Sequence, residues 1–297
     1  MSFKSGFITI AGRPNVGKST LLNALIGQKI AITSPKPQTT RNRITGIVNN
    51  PEYQMIFVDT PGMHEGKHLL GRSIDKLAIS SIKDVDVVLF LTDQAMGKAE
   101  AHILKYFKEL KTPIVLVINK TDEYNHKKGR IDEIILSYLP HFEFADVVPI
   151  SAKEGKHLDH LKSVILNYLP EGPQYYPEEM VTDQTEETLM AEIIREKILF
   201  HAQEEVPHAV AVVIERLERN KEYNTVDVSA IIIVERSTQK QILIGSKGEK
   251  LKKIGTQARL DINKTLNTKI HLSLWIKVKK DWRNNPNELK RYGYGTE

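Results

Sequence analysis

The chain has 297 residues, 40% of them hydrophobic, no cysteine and a formal net charge of +5. That length exceeds one ordinary domain, and the apolar fraction can supply more than one core. The missing cysteine excludes a disulfide framework, a thiolate zinc site and a cysteine nucleophile, and it fits a reducing, cytoplasmic setting.

Apolar residues 7–11 are too few for a signal-peptide core or a spanning helix, so a soluble protein is expected. Short apolar, β-branched runs at 7–11, 53–58, 85–91, 114–118 and 147–149 alternate with helical patterns. Strands this apolar on both faces need helices on both sides, which predicts an α/β fold with a doubly wound, mainly parallel sheet over residues 1–170. Pro170, Gly172, Pro173 and Pro177 then punctuate a stretch with no helical period, and a linker is placed at 171–185.

A different order follows. A helix is expected over 186–203, strands over 209–216 and 225–235 with a turn at 220–224, a helix over 249–266 and a last strand over 269–280. This predicts a smaller α+β domain over 186–297. The tail from 281 onward holds too few apolar residues for a core of its own. Trp275 alternates into the last strand and is expected in the core, whereas Tyr292 and Tyr294 could stack on bases, a reading that two tyrosines alone do not establish.

Residues Gly12-Arg-Pro-Asn-Val-Gly-Lys-Ser19 match the phosphate-loop pattern G-x-x-x-x-G-K-[ST], set between a strand and the helical pattern that starts near Thr20. Gly12 and Gly17 allow the backbone, including that of Asn15 and Val16, to aim N–H groups at an anion, and the helix N-terminus at Ser19 and Thr20 adds its positive end. Lys18 is expected on the β- and γ-phosphates and Ser19 on Mg²⁺. Asp59-Thr-Pro-Gly62 follows a strand tip, where Asp59 can hold Mg²⁺ and the Gly62 N–H can sense the γ-phosphate. Upstream, Thr39 and Thr40 both offer a hydroxyl that could close over the metal, and Thr40 is favoured. Asn119-Lys-Thr-Asp122 follows the strand at 114–118 and chooses the base: Asp122 can accept from guanine N1–H and the 2-amino group, and adenine has no such donor pair. Asn119 would brace the loop, Lys120 would cover the purine, and the backbone of Ser151-Ala152-Lys153 could bind guanine O6. The cofactors expected are therefore GTP/GDP and Mg²⁺.

Residues 171–235 carry 5 basic and 15 acidic groups, and residues 236–297 carry 15 and 5. Within the basic block, Gly245-Ser246-Lys247-Gly248 leads into a helix bearing Lys250, Lys252, Lys253 and Arg259. A glycine loop set between these elements resembles that of a type II KH domain, and the resemblance implies close approach of a sugar-phosphate backbone, with Lys247 adding charge. Ile242, Ile244 and Leu251 are candidates for the floor of an adjoining groove, with core packing the stronger reading for Ile242. Lys277, Lys279, Lys280 and Arg283 read as a solvated strand edge.

The nucleotide motifs, in this order and spacing, look like a translation-factor-class GTPase, and Gln38-Thr-Thr-Arg41 together with the phosphate loop resembles the Era family. The second half resembles a type II KH domain. That resemblance implies a slow GTPase that binds small-subunit ribosomal RNA near its 3′ end on a maturing small subunit, with nucleotide state gating RNA access. It also implies an asparagine at position 15 that helps hold K⁺ beside the phosphates, with a cap on the loop's own backbone as the equal alternative. A peripheral association with the inner face of the cell membrane is a further implication of the resemblance, and a monomer is expected. One departure from Ras-type enzymes stands out: Met63 follows Gly62, so the glutamine that orients attacking water there is missing. Two rivals remain, a membrane-docking signalling GTPase and a phosphate-loop kinase. The glycine loop argues against the first and residues 119–122 against the second.

Overall fold

In the strand β4 (Val87–Thr92) every residue is buried, and alternate residues enter different cores: Val87, Leu89 and Leu91 one, Val88 and Phe90 the other. A pleated strand sends successive side chains to opposite faces, so such a run is stable only between two layers of helices. The computed structural model describes residues 2–34, 36, 39–62, 68–124, 129–202, 209–220, 222 and 224–294. Met63 and Gln38 lie outside the described residues.

By their contacts the residues form two compact units, Met1–Ala31, Thr40–Gly66 and Ile74–Asp183 in the first, and Ile32–Thr39, Lys67–Ser73 and Gln184–Glu297 in the second. In the first half of the chain come β1 (Lys4–Ala11), α1 (Lys18–Ile26), β2 (Ile44–Asn50), β3 (Tyr53–Asp59), α2 (Leu69–Ser80), β4, α3 (Lys98–Phe107), β5 (Ile114–Ile118), α4 (Arg130–Tyr138), β6 (Asp146–Pro149) and α5 (Leu158–Tyr168). The sheet order is β2-β3-β1-β4-β5-β6, parallel throughout except for β2, which pairs antiparallel with β3. Leu21, Leu22 and Leu25 of α1 and Leu161 and Ile165 of α5 cover one face, while Ile103 and Phe107 of α3 and Ile134 and Tyr138 of α4 cover the other. From β1 the chain moves outward to β3 and returns to β4 on the other side, so the carboxyl ends of β1 and β4 flank the crevice where such sheets bind ligands.

The stretch read as a linker is extended but docked. Ile47 N–H donates to Val181 O at 2.9 Å, Asn49 Nδ2 to Glu178 O at 2.7 Å, and Gln54 Nε2 to Tyr176 O at 2.8 Å. The edge strand β2 thereby gains a main-chain partner at Ile47 and a side-chain one at Asn49, and the compact unit runs on to Asp183.

In the second unit, α6 (Glu186–His201) starts where the Thr185 side chain accepts from Thr188 N–H at 3.2 Å. Then come β7 (Ala211–Asn220), β8 (Thr225–Val234), α7 (Ser237–Ile244), α8 (Glu249–Leu266), β9 (Lys269–Val278) and α9 (Pro286–Arg291). The sheet order is β7-β8-β9, with β7 antiparallel and β9 parallel to β8. Ile193, Ile194 and Ile198 of α6 and Ile254, Ala258 and Ile262 of α8 pack on Val228, Ala230 and Ile232 of β8.

Three expectations fail here. Trp275 is 65% exposed, because it falls on the odd-numbered face of β9 while both long helices occupy the even face. Ile242 is exposed, because α7 turns Leu243 inward in its place. The tail does form structure. Trp282 is fully buried and donates from Nε1 to Ala209 O at 3.2 Å, and the rings of Tyr292 and Tyr294 lie 5.6 and 6.1 Å from it. Those two tyrosines are therefore structural and unavailable to bases, an outcome hidden in a segment of low average hydropathy because three aromatics bury far more area than their number suggests.

Candidate nucleotide site and nucleic-acid interface

Four nucleotide motifs follow the carboxyl ends of β1, β3, β5 and β6, and Thr40 precedes β2, which runs antiparallel to β3 and so begins at the same sheet edge, Ile44 opposite Asp59. Gly12 and Gly17 have φ of 155° and 101°. A Cβ at Gly12 would strike Leu91 O, and one at Gly17 would strike Asn119 Nδ2, so both positions require glycine sterically as well as conformationally. Lys18 is buried with Nζ 3.2 Å from Gly12 O and 3.1 Å from Arg13 O. Burial drives its ammonium down to about 8, opposed by the nearby Asp59 carboxylate.

Ser19, Thr40 and Asp59 converge. Ser19 Oγ donates to Asp59 Oδ2 at 2.8 Å and lies 2.9 Å from Thr40 Oγ1, which is 3.4 Å from the same carboxylate oxygen. Thr39 turns away, its hydroxyl donating to Lys36 O at 2.7 Å. Burial pushes the Asp59 carboxyl up, and Lys18, Ser19 and Thr40 pull it back. Its Oδ1 is buried with no hydrogen-bond partner among the described residues. Two hydroxyls beside a carboxylate with an orphaned oxygen are hard oxygen donors of the kind a small divalent cation takes. At Gly62 a Cβ would lie 2.8 Å from Pro14 N, so this glycine backbone presses against the phosphate loop.

The base side is equally connected. Asn119 Nδ2 donates to Val16 O at 2.8 Å, and its Oδ1 accepts from Ala152 N–H at 3.0 Å, tying three loops together. Ser151 Oγ donates to Asp122 Oδ1 at 2.5 Å, which aims the carboxylate. Lys120 Nζ reaches Asn15 O at 3.0 Å, while Lys153 is exposed and Thr20 half-buried. Sequence reasoning missed Asp93 at the tip of β4. It pairs with Lys120 Nζ at 2.6 Å and with Arg13, whose Nε lies 2.9 Å from buried Glu100 Oε1, close enough for charge pairing though poorly aligned for a hydrogen bond. The signal was present, since an acid directly after an apolar parallel strand stands at the ligand edge.

In the second unit α7 ends at Gly245 (φ 71°), and Lys247 (φ 47°) and Gly248 (φ 82°) continue in the left-handed region before α8. A Cβ on Gly245 would lie 2.7 Å from Lys250 Cβ. Ser246 and Lys247 are exposed at the tip. Beside the loop runs a groove of about 390 Å³ lined by Gly248, Leu251, Lys252, Gly255, Thr256, Arg259, Leu272 and Leu274. Of the proposed floor residues only Leu251 lines it. Ile244, half-buried, and Lys250 and Lys253 do not. The β9 leucines and Arg259 replace them, which depends on how α8 packs against β9.

Comparison with known proteins agrees with this geometry. A family profile described as 50S ribosome-binding GTPase matches residues 7–120, and one described as KH domain matches residues 205–283. GTPase Era of Clostridium botulinum (strain Loch Maree / Type A3) is 49% identical over 294 residues, 98% of each chain. GTPase Era of Alkaliphilus metalliredigens is 48% identical over 300 residues, 99% of this chain and 100% of that protein. The crystal structure of a single-residue variant of Aquifex aeolicus Era bound to GDP·AlF4⁻ superposes with a TM-score of 0.95 at 41% identity, covering 99% of this chain and 100% of that one. A structure of Era in complex with MgGDPNP and nucleotides 1506–1542 of 16S ribosomal RNA has the same TM-score and coverage at 42% identity. A phosphate loop, a guanine-selecting loop and a KH domain on one chain, matched over its whole length, place it in the Era family, as a GTP hydrolase.

Proposed function

We propose that this protein hydrolyses GTP in a Mg²⁺-dependent reaction, binds small-subunit ribosomal RNA near its 3′ end through the glycine loop and the α8–β9 groove, and assists maturation of the small ribosomal subunit. The observation that carries the metal reading is the orphaned Asp59 Oδ1 beside the hydroxyls of Ser19 and Thr40. When bound, Mg²⁺ would supply charge neutralisation on the phosphates. The chain's own part is positional: Lys18 and the N–H groups of the loop hold the phosphates, Asp122 and Ala152 select guanine, and the main chain near Thr40 and Gly62 orients the attacking water. Asn15, with φ of 65° at the exposed loop, is the residue we assign to K⁺. The RNA reading is supported by the relative that holds nucleotides 1506–1542 of 16S ribosomal RNA. Among the described residues no helix is long and apolar enough to cross a membrane.

The test is GTP turnover, in K⁺ and in Na⁺, with and without a short single-stranded RNA from the small-subunit 3′ end, repeated with Gly245→Asp/Gly248→Asp. The expected result is RNA binding that changes turnover and is lost in the double variant, with K⁺ faster than Na⁺. Wild-type protein indifferent to RNA in every nucleotide state would overturn the RNA reading, and equal rates in the two salts would remove the K⁺ assignment.

A further inference from the structure

The open face of the KH sheet carries a feature the groove does not use. Along β9 the residues Lys269, His271, Ser273, Trp275 and Lys277 are all exposed, while the intervening Leu272 and Leu274 face the groove. Trp275 stands opposite Ile231 of β8, which stands opposite Val213 of β7, and both are half-buried. The result is an apolar platform topped by an indole 65% exposed, in a chain whose other tryptophan, Trp282, is fully buried. Pairing with Ile231 would stabilise the sheet, yet it leaves the ring face open, and an open indole face is a surface on which an unstacked base can lie.

The charge along β9 favours a polyanion, while the acids of this face lie on β7 and β8, Glu215 exposed at the bulge between Ile214 and Arg216 among them. Strand β9 bears three basic residues or histidines on this face, Lys269, His271 and Lys277, and no acid. Asp227 and Glu218 lie toward the far end, Asp227 opposite His271 and Glu218 paired with Arg216 at 2.5 Å. The platform also continues the groove. Because β9 is an edge strand, a chain leaving the groove past Leu272 and Leu274 needs only to cross that edge, with its unpaired main-chain groups, to reach Ser273, Trp275 and Lys277.

We propose that the Trp275 face is a second RNA-binding surface, on which a nucleobase of the strand emerging from the groove stacks while Lys277 meets its phosphate. This rests on the reading of the groove as the RNA site. Stacking on an aromatic contributes about 1–3 kcal/mol per base, a factor of about 5–150 in affinity.

The test titrates full-length protein with two single-stranded RNAs sharing one 3′-end sequence, one of about four nucleotides, the span a KH loop clamps, and one of about ten. Trp275→Ala is expected to weaken the longer RNA by tenfold or more and leave the shorter unchanged, while Trp275→Phe keeps most of the affinity. In wild type only the longer RNA should quench the exposed indole fluorescence, and Trp275→Ala should lose that signal with an unaltered circular dichroism spectrum. Equal affinity of Trp275→Ala and wild type for the longer RNA would overturn the proposal. So would a variant that binds both RNAs normally but no longer co-sediments with small ribosomal subunits, which would make the face a protein-docking surface. If wild type binds neither RNA, the groove reading fails instead, and that failure is visible in the short RNA alone.

Discussion

Asp93 joins two loops that the sequence treats as separate motifs. One carboxylate holds Arg13 of the phosphate loop and Lys120 of the guanine loop, and it is only 12% exposed. Charge-assisted bonds at partly buried sites are worth about 1.5–3 kcal/mol, so Asp93→Asn should weaken GDP binding by about tenfold or more, measured by equilibrium titration, while turnover at saturating GTP changes little. A fall in maximal rate with unchanged affinity would show that the pair acts on the chemical step instead. At this scale the motif residues were legible because their roles depend on local order: a strand, a glycine turn, then a helix. The position of Asp93 after the β4 strand was legible, but its pairing was not, because its two partners are distant in sequence.

At the scale of elements, periodicity was a good guide wherever one face of an element is buried. The helix over 249–266 and the strand over 114–118 coincide with α8 and β5. The pattern was silent on β2, which ends in Asn49-Asn50, and on α7, which shows Leu243 but little amphipathic contrast. It misled at Trp275, because alternation states that a residue is on a face and not which face the helices cover. The tail is the clearest case. Asn285 caps α9 by accepting from Asn287 and Glu288 N–H, Pro286 opens the helix, and Lys279 pairs with Glu288 at 2.9 Å. Trp282→Ala would remove the aromatic centre of this cluster and is expected to cost about 3–5 kcal/mol. That should appear as a lower denaturant midpoint for the second unit, with the nucleotide-binding unit unaffected; a change within about 1 kcal/mol would show the tail to be dispensable.

For the whole molecule, the division of charge between residues 171–235 and 236–297 becomes a functional statement once the glycine loop and groove lie in the basic block. Lys247, Lys252 and Arg259 are the cations at the loop and groove, about three phosphate contacts, so log affinity for single-stranded RNA should fall with log salt at a slope of about −2. Lys247→Ala should reduce that slope by about 0.7. A slope near zero in the wild type would mean that the basic block does not meet the phosphates.

Taken alone, the sequence determined the two-part organisation, the sheet class, the nucleotide identity and the glycine loop, because each is written in spacing along a few residues and in hydrogen-bond chemistry that does not depend on the remainder of the chain. Tertiary structure decided which threonine meets Ser19 and Asp59, which side chains line the groove, that the tail is structural, and that an indole stands open on the sheet. Those outcomes depend on which faces the helices occupy and on contacts between residues far apart in sequence, and no local pattern encodes either.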